Sequence, residues 1–324
     1  MNILLWHVHG SWTTSFVHGK HRYLIPVTAD RGPYGLGRAR TFRWPETAEE
    51  VTPDQLATEQ VDLLIVQRPE EVELARRWLG RQPGVDLPTV YVEHNTPKGD
   101  VPDSRHPMAD RDDLRIVHVT HFNELFWDTG ATRTAVIEHG IVEPSARYTG
   151  ELDRLAVVTN EPVRRWRVTG TDLMPRFAAL APLDVYGMGM AGLGERLGLG
   201  PDRLRAYDDP PQARMHDEVG RRRAYLHLCR WTSLGLSLIE AMTIGMPVVA
   251  LATTEAIAAV PTDAGVLSTR VDTLVEAAQW LLDEPEAARR LGARAREVAL
   301  ARYGLDRFLA DWDRLLEEEL CASR

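Results

Sequence analysis

The sequence predicts an α/β chain of two domains, each a parallel sheet covered by helices. Three observations carry this. Short runs apolar on both faces, such as VDLLIVQ at 61–67 and VVAL at 248–251, read as strands buried above and below. Helical patterns alternate with these runs, as a parallel sheet requires. The 324 residues are enough for two domains of ordinary size, each with its own core.

The bulk numbers bound the rest. An apolar fraction of 44% and a charged fraction of 26% are those of a soluble globular protein, and a net charge of -9 argues against a general nucleic-acid binder. No apolar run approaches the roughly 20 residues that cross a bilayer. The run Ile3 to Trp6 has no basic region before it and reads as a first strand rather than a signal peptide. Cys229 and Cys321 form no disulfide framework. The expectation is a cytoplasmic protein without a transmembrane segment.

In chain order, NILLWHV at 2–8 is a buried strand running into His9-Gly10-Ser11-Trp12. A glycine loop after the first strand lies at the carboxyl edge of the sheet, where ligands bind. No G-x-G-x-x-G follows, so a dinucleotide fingerprint is absent. Residues 22–27 suggest a second strand, and 29–43 a Gly-, Pro- and Arg-rich connection. The strand 61–67 precedes a helix over 69–79. The next strand, 90–92, ends in Glu93-His94-Asn95-Thr96-Pro97, which places His94 where chemistry is usually sited, or in a turn capped by Asn95. Asp110-Arg111-Asp112 lacks the apolar setting of a metal-binding D-x-D, and no metal is assigned. Strands at 116–120 and 135–138 flank a helix at 122–126, and 144–152 reads as a linker.

The second half opens with a strand at 155–159 and a turn holding Arg164, Arg165 and Arg167. A strand at 183–186 leads into Gly187-Met188-Gly189. Arg205 to Gln212 suggests an edge segment, 213–220 a helix, and Arg221-Arg222-Arg223 its solvated end, where cations suit the dipole. Residues 224–251 then read as strand, turn, helix, strand, with Gly245 and Pro247 as stop signals. The N-terminus of that helix favours an anion, commonly phosphate. Ser237-Leu-Ile-Glu240 fits an S-x-x-E capping box; equally, a carboxylate at 240 can accept ribose hydroxyls beside a diphosphate. Spacing does not choose. A last strand near 267 and amphipathic helices over 271–282, 285–303 and 305–320 complete the chain.

The stretch SLGLSLIEAMTIGMPVVAL resembles the signature of the retaining glycosyltransferases of family 4, in which a Gly-Leu pair, E-A-M, a glycine and P-V-V-A occur in that order. The resemblance implies the GT-B architecture, two Rossmann-like domains facing across a cleft. Residues 1–150 would be the acceptor domain and 151–324 the donor domain, with the final helix bracing the first. It implies transfer of a hexose from a nucleoside diphosphate sugar to a small-molecule, glycan or lipid acceptor, with retention, without cofactor or metal. Glu240 would then bind the ribose, and the backbone at Gly235, Leu236, Ser237 and Leu238 would face the diphosphate, with Gly10 and Gly187 allowing close approach. Arg164 falls at the family's diphosphate arginine and His94 at its acceptor-side histidine. Two positions depart from the pattern. Thr232 stands where the family has a donor-sugar glutamate, and Thr169 where it has a lysine, whose charge Arg165 or Arg167 would replace. A non-catalytic nucleotide-sugar binder and a sugar-nucleotide 2-epimerase are the competing readings.

Overall fold

The computed structural model describes residues 1–322. The elements run β1 (Asn2–Leu5), α1 (Gly10–Phe16), β2 (Arg22–Pro26), β3 (Ala48–Val51), α2 (Pro53–Leu56), β4 (Leu63–Val66), α3 (Pro69–Leu79), β5 (Thr89–Glu93), β6 (Arg115–His118), α4 (His121–Phe126) and β7 (Arg133–Val136). They continue with β8 (Leu152–Val158), α5 (Pro162–Arg165), α6 (Met174–Ala178), β9 (Leu183–Gly187), α7 (Leu193–Leu197), β10 (Leu204–Asp208), α8 (Gln212–Gly220) and β11 (Arg222–His227). Last come α9 (Leu236–Ile244), β12 (Val248–Leu251), α10 (Ala256–Ala259), β13 (Gly265–Ser268), α11 (Val271–Asp283), α12 (Pro285–Tyr303) and α13 (Leu305–Ala322). Two compact units result: Met1–Val142 with the C-terminal helix α13, and Glu143–Gly304.

The first unit is built on seven parallel strands in the order β3-β2-β1-β4-β5-β6-β7. The order reverses between β1 and β4, the point of an open parallel sheet where ligands are commonly bound. All four residues of β4 and all five of β5 are buried, as strands covered on both faces must be. Helix α13 packs against α1 through Trp312, whose ring lies 5.7 Å from Trp12 and 5.0 Å from Phe16. Trp12 is fully buried there and is a core residue. The sequence suggests a glycine loop over His9 to Trp12, but β1 stops at Leu5 and Gly10 opens helix α1. The polar strand AEEV of β3 escaped sequence reading because an edge strand buries only its outermost residues, Ala48 and Val51.

The second unit repeats the plan with six parallel strands, β10-β9-β8-β11-β12-β13, reversing between β8 and β11. Its core joins the inner faces of β8, β9, β11 and β12 to α6 and α11, with Phe177, Leu226, Val249 and Leu274 among the fully buried members. One expectation is overturned here. Arg222 and Arg223 are not a solvated helix end; α8 stops at Gly220 and both arginines are buried within β11. The cause is Asp184, fully buried on β9, whose carboxylate accepts from Arg154 Nε and Arg222 Nε, each at 2.7 Å. Arg223 is satisfied by the carbonyls of Gly150 at 2.9 Å and Leu282 at 2.8 Å. A buried charge persists only when so paired, and the partners lie too far along the chain for local pattern to show them. Among the described residues no helix is long and apolar enough to cross a membrane.

Candidate nucleotide and phosphate site

At the reversal between β8 and β11 in the second unit two loops lie side by side: 159–173 after β8, and 228–235 after β11. The second loop feeds α9, whose N-cap is Gly235 in extended conformation with no side-chain cap. Gly235 is needed for space, because a Cβ there would lie 2.6 Å from the buried His227 ring. The first amides of a helix have no intrahelical acceptor. The N–H of Leu238 bonds the Gly235 carbonyl at 2.9 Å, leaving the helix tip to Leu236 and Ser237. Ser237 is not a capping side chain. Its Oγ accepts from the Tyr225 hydroxyl at 2.9 Å and donates to the Val158 carbonyl at 3.3 Å, pinning the helix tip to both central strands.

The box that would pair Ser237 as N-cap with Glu240 is not formed, because the N-cap is Gly235. Its carboxylate is buried and faces α8. Oε1 accepts from Gln212 Nε2 at 3.0 Å, and Oε2 lies 3.2 Å from His216 Nε2, close but off the line of a hydrogen bond. An ionised carboxylate is an acceptor only, the partner a ribose hydroxyl requires.

In the first loop Arg164 is largely exposed and paired with the Glu161 carboxylate. Arg167 is equally exposed and lies 3.1 Å from Asp172. Thr169, at the lysine position of the resemblance, turns inward, bonding the Trp166 carbonyl at 3.0 Å and the Thr171 hydroxyl at 2.8 Å. Glu161 and Trp166 both have positive φ, 54° and 37°. Such strain in non-glycine residues is found where a loop is held for a purpose. Gly187 ends β9 at φ 138°, where a Cβ would sit 2.1 Å from the Thr159 carbonyl oxygen. Gly187→Ala is expected to destabilise the protein by about 2 kcal/mol or more through backbone strain and this clash. An unchanged melting temperature would show that the ends of β8 and β9 yield instead. Thr232 is half-buried in the loop before α9.

In the first unit His94 follows β5 directly, as its position at a strand end suggests. Its ring packs 4.1 Å from His9 and 5.0 Å from Trp12, and Nε2 is buried without a partner. His139, after β7, is also buried, with Nδ1 unpartnered. Burial, reinforced by Arg68 and His7, lowers His9 to about 4; burial, with His9 and Arg307, lowers His139 to about 3. Burial with His9 and His139 holds His94 well below its usual range. All three are neutral imidazoles near pH 7. Gly10 leaves room for the Phe42 ring, which a Cβ would meet at 2.6 Å. The Asp110 carboxylate is engaged by Arg105, and Asp113 by Arg111 at 2.6 Å. Among the described residues no three His, Cys, Asp or Glu side chains gather as a metal site.

Sequence reasoning missed Gln212, which bonds Glu240, His216, which packs beside it, and Arg230, which ties the two loops together. None carries a local signal; each is defined by a partner 24 or more residues away.

The chain has the GT-B fold. It superposes on sucrose-phosphate synthase (tll1590) from Thermosynechococcus elongatus with a TM-score of 0.76 at 14% identity, over 99% of this chain and 100% of that one. Anabaena Alr3699/HepE in complex with UDP gives 0.71 at 14% identity, over 98% and 99%. WaaG, a glycosyltransferase involved in lipopolysaccharide biosynthesis, gives 0.65 at 14% identity, over 96% and 98%. In sequence, residues 203–298, from β10 into α12, match the family described as glycosyl transferases group 1. No curated protein matches the chain.

Proposed function

We propose that the chain is a retaining, metal-independent hexosyltransferase that takes its sugar from a nucleoside diphosphate. The carrying observation is Glu240: a buried carboxylate in the first turns of α9, bonded by Gln212 with the His216 ring beside it. The ribose hydroxyls donate to that carboxylate, and the diphosphate lies over the amides of Leu236 and Ser237. In the reaction the bond from the anomeric carbon to the diphosphate breaks, an acceptor hydroxyl oxygen bonds the same face of that carbon, and the hydroxyl proton leaves with the diphosphate. Negative charge builds on the departing group. Helix amides and the Arg164 guanidinium, once exchanged from Glu161 to the phosphate, compensate it where it develops. His94 orients a hydroxyl as a neutral imidazole, and no protein nucleophile is required. The match of 203–298 to group 1 transferases supports the reading, and the UDP and UDP-glucose in the Anabaena structures make uridine the first base to test. A cytoplasmic location belongs to the same reading.

One observation favours a second reading. Thr232 and Thr169 are both neutral where the resemblance has charged residues, which suits a nucleotide-sugar binder without turnover. Calorimetry with UDP, GDP and dTDP sugars, then assay of released nucleotide with and without acceptors, separates the two. Binding with no turnover across a broad acceptor panel establishes the binder. Absence of binding to any nucleotide sinks both.

A further inference from the structure

Arg230 links the two loops at the β8/β11 reversal by four bonds. Its backbone N–H donates to the Val168 carbonyl at 2.8 Å. Nη1 donates to the Arg167 carbonyl at 2.7 Å and to Asp172 Oδ1 at 2.6 Å, while Nη2 reaches Asp172 Oδ2 at 2.9 Å. The bidentate pair is mostly buried, with side-chain exposures of 27% and 19%, so it is neither a fluctuating surface contact nor well screened. Beside it the backbones interlock: Gly170, at φ 70°, is so close to Leu228 that a Cβ would meet the carbonyl oxygen at 2.0 Å. Loop 164–172 is thus fastened to the segment that leads into α9.

Thr169 cannot reach a ligand from its inward position, and the cations of Arg164 and Arg167 are exposed on a loop with two strained residues. A loop of that kind presents its charges at a fixed place only if something outside it holds it. We propose that Arg230 and Asp172 form a clasp that sets this arginine loop against the first turn of α9, making Arg230 a positioning residue for the β-phosphate of a nucleoside diphosphate. The inference rests on the nucleotide-sugar reading above. The clasp fixes by geometry a site that lacks a cation at position 169.

The sign of one substitution separates this from simple charge attraction. Asp172→Asn removes a negative charge beside the phosphate site, which on electrostatic grounds alone should tighten binding of an anion. A clasp predicts the reverse, because the fastening is lost. The measurement is calorimetric affinity for the nucleoside diphosphate that the wild-type chain binds best, and for the matching monophosphate. Asp172→Asn and Arg230→Ala are each expected to weaken the diphosphate roughly ten-fold, the scale of one charge-assisted bond, with the monophosphate little changed. The double variant is expected to fall well short of the sum of the two losses, since both remove the bidentate pair, while Asp172 also holds Arg167 and Arg230 also holds the Arg167 carbonyl. Arg230→Lys keeps the charge but cannot bridge two oxygens and a carbonyl, and is expected to restore only part of the affinity. It also serves if the alanine variant does not fold. Tighter binding by Asp172→Asn, additive losses in the double variant, full recovery with lysine, or equal losses for mono- and diphosphate would each overturn the clasp. A wild-type chain that binds its diphosphate while Arg230→Ala leaves the affinity untouched sinks the clasp alone; one that binds no nucleoside diphosphate sinks the reading beneath it as well.

Discussion

Glu240→Gln is expected to weaken nucleoside diphosphate binding by at least ten-fold while leaving the melting temperature nearly unchanged. The two halves of this result come from separate features. Hydrogen bonds to a charged group contribute about 1.5 to 3 kcal/mol each, so a ribose that donates one or two to the carboxylate loses about ten- to a hundred-fold when the charge goes. Stability is spared because glutamine keeps the size of the side chain and most of its hydrogen-bonding capacity. The N-cap is Gly235, Ser237 is engaged with Tyr225 and Val158, and a glutamine at 240 retains an oxygen for the Gln212 amide. Loss of a true capping side chain would instead cost about 1 kcal/mol with no effect on ligand. Comparing a ribonucleotide with its 2′-deoxy form sharpens the test. The wild-type chain should prefer the ribo form, and the variant should lose most of that preference. A stability loss with intact affinity, or a ribo preference that survives the substitution, removes Glu240 from the site.

The contrast between Glu240 and Arg230 shows what a sequence can disclose. Around Glu240 the local signals are dense. Gly245 at φ 96° closes α9 as a left-handed cap should, β12 is buried over all four residues, and α3 spans Pro69–Leu79 as its pattern predicts. Each of these depends on residues within a few positions of one another, where periodicity and turn chemistry act. The function of a side chain that is fixed from afar leaves no such trace. Gln212 meets Glu240 across 28 residues and Arg230 meets Asp172 across 58. The same distance effect explains the error at Arg222 and Arg223: next to the half-exposed Arg221 they look solvated until their buried partners on distant segments are known. In the first unit His94 is legible because it follows an apolar strand, whereas the packing of His9 beside it depends on where the chain turns after β1. Short elements were hidden for another reason. α1, α5, α7 and α10 have seven residues or fewer, too few to display a helical period.

Mild acid is expected to destabilise this protein strongly, with the loss beginning near pH 6.5. Besides His9 and His139, burial lowers His227 to about 4, and burial with nearby His106 lowers His118 to about 3, against an ordinary value of 6.5. The folded state thus holds these rings neutral while the unfolded chain binds protons on them between about pH 6.5 and 3. Stability is full above 6.5 and falls as the pH drops through that window. At pH 5, which is 1.5 units below 6.5, each fully buried ring has cost about 2 kcal/mol at about 1.4 kcal/mol per unit. Three such rings, His118, His139 and His227, approach the whole stability of an ordinary domain. His118 offers the cleanest single test, since neither ring nitrogen has a partner and the residue is completely buried on β6. His118→Leu therefore forfeits little at pH 7.5 and removes one source of the acid loss, so its melting temperature should exceed that of the wild type at pH 5. Thermal unfolding at the two pH values decides the matter. A wild-type melting temperature that stays level from pH 7.5 to 5, or a leucine variant with the same slope as the wild type, would show that these rings take up protons in the folded state.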